Sequence, residues 1–229
     1  MRINKFIAHA GICSRRKADD LIKEKRVRVN GKLVEDFSLK VSKDDKIEVD
    51  GKTIEIEDKF YYKLNKPVGY ISSNYDPHNE NDLEKLVKLD RRFFCAGRLD
   101  MDSHGLMLIT NDGDLVNRLI HPRFEVKKEY IVKVDRPLSK KQEEDFLKPI
   151  DLGDNEVARG QDLKALAKDT YRVIIHQGYN RQIRRMFAHF SSQVIDLKRV
   201  RIGEIKLGDL KEASYKALDD KEMEFLKKL

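Results

Sequence analysis

The chain has 229 residues, 40% hydrophobic and 38% charged, with 47 Lys and Arg against 40 Asp and Glu, which admits one large or two modest domains with a true core. No run of about 18 apolar residues occurs, which excludes a membrane-spanning helix, and the opening MRINKFIAHAG lacks a long apolar stretch, so no secretory signal is expected. Cys13 and Cys95 have no CxxC spacing; they point to a reducing cytoplasm and exclude a cysteine zinc site.

The basic excess is local. Residues 1–46 hold thirteen Lys and Arg against seven Asp and Glu, a balance of +6 out of the whole chain's +7. Segregated charge of this kind is the footprint of a nucleic-acid contact rather than of general solubility. Ile3, Phe6, Ile7 and Ala10 recur at helical spacing and predict a helix over 2–10, closed by Gly11. Ser14 suits the N-cap of a second helix over 15–25, with Ala18, Leu21 and Ile22 inward and Arg15, Arg16, Lys17 and Lys23 on or near the outer surfaces. Residues 26–34 read as a hairpin around Asn30-Gly31, and Lys46–Val49 pairs with Thr53–Ile56 around Asp50-Gly51. A linker near 57–59 divides the chain into domains 1–57 and 60–229.

In the second domain, Phe60–Leu64 alternates as a strand, 65–69 turns, and Tyr70–Ser73 is expected to return. Residues 74–82 (NYDPHNEND) lack apolar periodicity and read as a loop before a short helix at 82–89. Leu106–Thr110 is a buried strand, Asn111-Asp112-Gly113 a turn, and 114–120 a helix ending at His121-Pro122. Residues 128–134 alternate like a half-buried strand, with Tyr130 on the face of Val132 and Val134. A helix over 139–147 follows. Residues 150–168 have no decisive pattern. A strand over 170–175, a helix over 181–190, strands within 193–202 and a helix over 219–228 complete an α+β chain.

Three segments carry chemistry. Asp100, in GRLDMDSHG, sits in a loop at the mouth of an apolar strand that does not need it, which makes it a site candidate beside the turn or capping role that a lone Asp more commonly takes. Tyr130 lies in KEYIV. The segment NRQIRRM opens a helix; at about 100° per residue Ile183, Met186, Phe187 and Phe190 share one side and Arg181, Arg184 and Arg185 the other. The six histidines show no HExxH or other ligand spacing, so no metal site is expected.

Taken together, in this order, GRLDxxSxG, KxYxV and NRQIRRM resemble the three motifs of the pseudouridine synthases, in particular the RsuA/RluB type that modifies bacterial ribosomal RNA. The two N-terminal helices and basic strands resemble the small alpha-L RNA-binding domain. The fold this resemblance implies is an alpha-L domain followed by a mixed, mainly antiparallel sheet with flanking helices. The activity it implies is isomerisation of a specific uridine in ribosomal RNA, with 23S favoured over 16S, in a cytoplasmic monomer that acts on ribosomal RNA or a pre-ribosomal particle. No redox or group-transfer step is involved, so no organic cofactor is expected.

By the same resemblance Asp100 is the essential carboxylate, Tyr130 stacks on uracil, and Arg184 pairs with Asp100, holding it ionised and directed. Arg98 fills the space left by the extracted base. Arg15, Arg16, Lys17, Arg26 and Arg28, with Arg181 and Arg185, would meet RNA phosphates, which supply affinity and orientation but no sequence choice. Two departures from the resembled pattern lie outside these motifs. His78-Asn79-Glu80-Asn81-Asp82 replaces a common Gly-Arg-Pro-Thr-Val, and Lys211-Glu212-Ala213-Ser214-Tyr215 replaces a glycine before an aromatic or basic residue. Both bear on the RNA target. A catalytically silent assembly factor is the alternative, opposed by the presence of Asp100, Tyr130 and Arg184. A hydrolase using Asp100 with Asp102 or Asp112 would leave the arginine helix and the basic domain unexplained.

Overall fold

The computed structural model describes residues 1–73 and 81–229. Most of the loop expected at 74–82 therefore lies outside the described residues. The chain forms two compact units. One comprises Met1–Phe60 with Asp90–Arg92 and Asn111–Gly113; the other holds the remaining residues. Among the described residues, no helix is long and apolar enough to cross a membrane.

In the first unit, α1 (Ile3–His9) and α2 (Arg15–Lys23) precede a sheet of β1 (Val27–Val29), β2 (Lys32–Leu33), β3 (Ile47–Val49) and β4 (Lys52–Ile54), in the order β2-β1-β3-β4. Ser14 caps α2 by accepting the Lys17 amide at 3.2 Å. Asn30, Gly31, Asp50 and Gly51 all have positive φ, the geometry that two-residue hairpin turns with right-handed strand twist require. The apolar helix faces meet the sheet in one core containing Ile3, Phe6, Ile7, Leu21, Ile22, Val27 and Ile47.

The second unit follows β5 (Tyr61–Lys66), α3 (Leu83–Leu86), β6 (Phe94–Cys95), β7 (His104–Thr110), α4 (Gly113–Ile120), β8 (Lys128–Val134) and α5 (Lys140–Asp145). Then come β9 (Ile150–Asp151), β10 (Val157–Ala158), β11 (Asp162–Ala167), β12 (Thr170–Ile175), α6 (Gln182–His189), β13 (Val194–Ile202), β14 (Ile205–Lys206), β15 (Tyr215–Ala217) and α7 (Asp220–Lys228). Among the described residues the main sheet runs β11-β12-β8-β13-β7-β5-β15, with β14 on β13 and β6 on β7. Among the described residues only the central β13–β7 pair is parallel. This is the mixed, mainly antiparallel sheet with flanking helices that the family resemblance implies. Apolar side chains of β7, α4, β13 and α7 form one core, with Leu106, Leu108, Leu115, Leu119, Ile202 and Leu226. Elsewhere Phe187 of α6 packs on Phe146 and on Tyr171 of β12, with ring centroids 4.9 and 5.7 Å apart.

Several expected elements differ. Tyr70–Ser73 does not return as a strand; the Ser72 hydroxyl holds the Asp100 loop instead. Residues 150–168 contain three strands, and β6 and β15 add short edge pieces. Helix α6 starts at Gln182, with Arg181 outside it as a left-handed N-cap at φ 49° and ψ 32°.

At the centre of the sheet, Arg199 lies opposite Gly105 on β7 and opposite Tyr130 on β8. A Cβ added at Gly105, which has φ +100°, would lie 2.3 Å from the Arg199 carbonyl oxygen. Only glycine lets the two parallel strands approach there.

Candidate active site

Asp100 lies in the loop that enters β7, and that loop is fixed from many sides. The Leu99 amide donates to the Ser72 hydroxyl at 2.9 Å, and the hydroxyl donates to the Leu99 carbonyl at 2.5 Å. The Gly69 amide donates to the Met101 carbonyl at 2.8 Å. Lys66, wholly buried, donates to the Ser103 carbonyl at 2.8 Å and to Pro67 at 2.9 Å. Arg199 reaches from β13 past Gly105, donating from Nε to the Leu106 carbonyl at 2.7 Å and from Nη1 to the Arg98 carbonyl at 3.3 Å. The carboxylate of Asp100 is thus presented on a backbone with little freedom, as directed chemistry requires.

Beside it is a cavity of about 480 Å³ lined by Asp100, Tyr130, Arg98, Lys128, Arg181 and Arg199, with apolar walls from Ile120, Ile175, Ile183 and Leu197. Its size and its mix of apolar wall and few polar groups suit a small ligand or a single extruded nucleotide. Tyr130 is buried at 7% exposure, on the inner face that the alternation of β8 predicts.

The arginines are distributed differently from the expectation. Arg184 makes no ion pair with Asp100 within 4 Å. Its guanidinium donates to the Val194 carbonyl at 2.8 Å, the Asp102 carbonyl at 2.8 Å and the Ser103 hydroxyl at 3.3 Å, and lies 3.3 Å from the Asp102 carboxylate. Arg181 faces Asp100 instead, at 3.6 Å, while gripping both Asp102 oxygens at 3.2 and 2.9 Å. The physical reason is the N-cap: a left-handed residue before the first turn sends its side chain away from the direction that helical angles assign. Partial burial works to raise the Asp102 pKa, but the Arg181 hydrogen bond and the charges of Arg184 and Arg181 hold it below the ordinary aspartate value.

Besides Arg181, two residues expected on RNA are held by several internal partners each. Arg185 donates to Glu156 at 2.5 Å, Leu152 at 2.7 Å and Asn180 at 3.1 Å, tying down the segment around β9 and β10. Arg26 makes a two-pronged contact with Asp50, both bonds 2.7 Å, and a third with Glu24 at 2.9 Å. Arg28 is exposed and donates to Gly31 at 3.0 Å. Arg15 and Arg16 are exposed without hydrogen-bond or ion-pair partners among the described residues, and Lys17 lies 3.8 Å from Asp20. Arg98 is exposed at the cavity rim.

Lys66 and Arg199 lie outside the three motifs, and Lys128 enters them only as the lysine of KxYxV, with no role assigned. The signal for two of them was parity: Lys128 shares the inner face of Tyr130, and Arg199 that of Leu197. Burial and the Arg199 charge push Lys128 down to about 8. Burial likewise brings Lys66 to about 8, with the Asp100 charge acting in the opposite direction.

Residues 61–189 match the model of the RNA pseudouridylate synthase family, and residues 1–47 match the S4 domain. The chain belongs to the RNA pseudouridylate synthase family. This synthase is 38% identical over its full length to the ribosomal large subunit pseudouridine synthase B of Bacillus subtilis (strain 168), spanning 96% of that relative. It is also 38% identical over its full length to the dual-specificity RNA pseudouridine synthase RluF of Escherichia coli (strain K12), spanning 79% of it. A solved pseudouridylate synthase structure aligns with a TM-score of 0.73 at 30% identity, over 99% of each chain. The synthase is thus of the RluB/RluF type, with an RNA-binding S4 domain at its N-terminus, and its fixed aspartate loop and enclosed tyrosine lie within the family match.

Proposed function

We propose that this synthase converts a specific uridine of ribosomal RNA to pseudouridine, in the cytoplasm, with large-subunit RNA as the favoured target. The observation that carries the reading is Asp100 on a pinned loop at a cavity that also holds Tyr130. The Bacillus relative is named for the large ribosomal subunit, which favours that RNA.

The target uridine leaves its stack and enters the cavity. Arg98, exposed at the rim, takes the vacated space. Tyr130 stacks on the uracil. Asp100 acts on the ribose, either by attacking the sugar carbon or by removing a ribose proton; both routes need an ionised and oriented carboxylate. Arg181 supplies the neighbouring positive charge. Arg184 holds the peptide at Asp102 and Ser103 and so sets the direction of the loop. In the first domain, exposed Arg15, Arg16 and Lys17, together with Arg28, anchor phosphates.

Asp100→Asn tests the reading. Single-turnover tritium release from uracil-labelled ribosomal RNA should be abolished with RNA affinity nearly unchanged. Activity within about tenfold of wild type, roughly 1.4 kcal/mol of barrier, would remove Asp100 from the chemistry. Carbodiimide primer extension on ribosomal RNA from cells with and without the gene identifies the uridine.

A further inference from the structure

Two cations on the cavity wall have no counter-ion. Lys128 is 8% exposed and Arg199 1%. Lys128 donates to the His176 carbonyl at 3.0 Å and the Val126 carbonyl at 3.5 Å. Arg199 uses Nε and Nη1 on carbonyls, and its buried Nη2 has no hydrogen-bond partner. Among the described residues neither side chain has a carboxylate within 4 Å. Adjacent strands bring them together: Arg199 faces Tyr130 across the β13–β8 ladder, and Lys128 is two residues along the same face. Their charges oppose each other, since Arg199 lowers the pKa of Lys128. Buried charges are ordinarily paired, and an unpaired one is strongly destabilising. Two neighbouring unpaired cations bordering a cavity call for a negative or electron-rich occupant.

We propose that Lys128 and Arg199 form a cationic floor that binds the carbonyl oxygens of uracil and holds the negative charge of the base while it is detached from the ribose. The inference rests on the reading of the cavity as a uridine site. When the bond from C1′ to N1 breaks, its electron pair leaves with uracil, which becomes an anion with charge on N1, O2 and O4. The sugar carbon is satisfied by the Asp100 carboxylate or by loss of a ribose proton to it. The base then turns and C5 supplies the electron pair for the new bond to C1′, as the C1′–Asp100 bond breaks and the carboxylate leaves, or as Asp100 returns the ribose proton; the C5 proton passes to a base in the cavity, and N1 takes up a proton. Substrate and product are isomers, so the charge on uracil is transient. Fixed donors aimed at transient charge stabilise the transition state more than the ground state. Two cations beside a turning base also serve both orientations, since O2 and O4 exchange sides as it rotates. An RNA phosphate is the competing occupant, and RNA affinity distinguishes the two.

The test uses the full chain in single-turnover excess over transcribed, unmodified large-subunit ribosomal RNA. Lys128→Met should lower the rate of pseudouridine formation by roughly 10²–10³-fold, keep the RNA Kd within about threefold, and leave the melting temperature equal or higher because an unpaired charge has gone. Lys128→Arg should keep most of the rate and shrink the decline expected of wild type above about pH 8, where Lys128 gives up its proton; Lys66, which titrates near 8 beneath the Asp100 loop, is unchanged in the variant. Asp100 and Arg98 from the loop, Arg199 from β13, Tyr179 and Arg181 from the segment before α6, and Tyr130 from the same strand share the cavity and are unchanged in both variants. A Lys128→Met rate within threefold of wild type, or a rate loss matched by an equal loss of affinity, would overturn the proposal. So would superimposable pH profiles of wild type and Lys128→Arg, a comparison that decides even where Lys128→Met does not fold. Absence of pseudouridine with wild type would fail the functional reading; its presence with an unimpaired Lys128→Met fails only the cationic floor.

Discussion

Arg181→Gly should separate stability from activity in this synthase. Arg181 occupies a left-handed backbone position at φ 49°, which costs a residue with a Cβ about 1–2 kcal/mol. Glycine removes that strain but carries about 0.5–1 kcal/mol of extra unfolded-chain entropy. The variant also loses the contacts to Asp102 and Asp100. The Arg181 side chain is 45% exposed and that of Asp102 47%, so solvent screening limits this loss to about 1 kcal/mol. These contributions nearly cancel, leaving stability within about 1 kcal/mol and the melting temperature within about 4 °C. Activity has no such compensation. Without the guanidinium, Asp100 and Asp102 repel each other across the site, and a displacement of about 1 Å at the reacting carboxylate lowers the rate roughly 10²-fold. Differential scanning calorimetry and single-turnover tritium release on the same preparation measure both. A rate within threefold of wild type would show that Arg181 does not position Asp100. A fall in melting temperature beyond about 10 °C would refute the strain argument.

Gly105→Ala should be far more damaging. Its Cβ meets the Arg199 backbone at 2.3 Å with φ at +100°, so backbone strain and overpacking add to roughly 2–5 kcal/mol; a urea midpoint unchanged from wild type would contradict the close approach of β7 and β13. Stability should rise between about pH 8 and 9. Lys66 and Lys128 have folded pKa values held down to about 8 against an unfolded value near 10.4, so the unfolded chain binds more protons there and alkalinity favours folding. Above about pH 9 Cys95, whose thiol burial raises to about 12, works in the opposite direction. Urea titrations at pH 7.5 and 8.8 should show the rise, with a smaller one in Lys128→Met; equal rises in the two proteins would detach Lys128 from the effect.

Elements held by a strong local pattern were legible. β8 spans the residues its alternation marks, Ser14 caps α2, and the Asn-Gly and Asp-Gly turns fall where positive φ is needed. β11 was not legible because its side chains are exposed or half-buried throughout, so nothing in DLKALA records a buried face; its pairing with β12 defines it. β15 and β6 likewise owe their extended form to β5 and β7. In the site, loop position and strand parity place Asp100 and Tyr130 at the cavity, but those signals alone suit a turn aspartate and a core tyrosine as well, and only the three motifs together single the pair out. The arginine facing Asp100 could not, because a helical wheel treats Arg181 as helical and the backbone turns the other way just before α6. The roles of Lys128 and Arg199 were not legible because charged residues in strands ordinarily face outward. Their inner placement emerges only when β8, β13 and β7 are set side by side.

The loop carrying Asp100 is tied to Ser72, Lys66, Gly69, Arg184 and Arg199 at once. Such a loop has no opening and closing of its own to perform, so the geometric work of the reaction passes to the RNA. The nucleotide must swing out, and the freed ring must turn, against a stationary reference. Choice among uridines then becomes a contest of mechanical compliance within the RNA: the nucleotide that unstacks at least cost, in a strand lax enough to follow its base inward, reaches the carboxylate first. A stationary carboxylate of this kind leaves the choice of nucleotide to softness in the RNA.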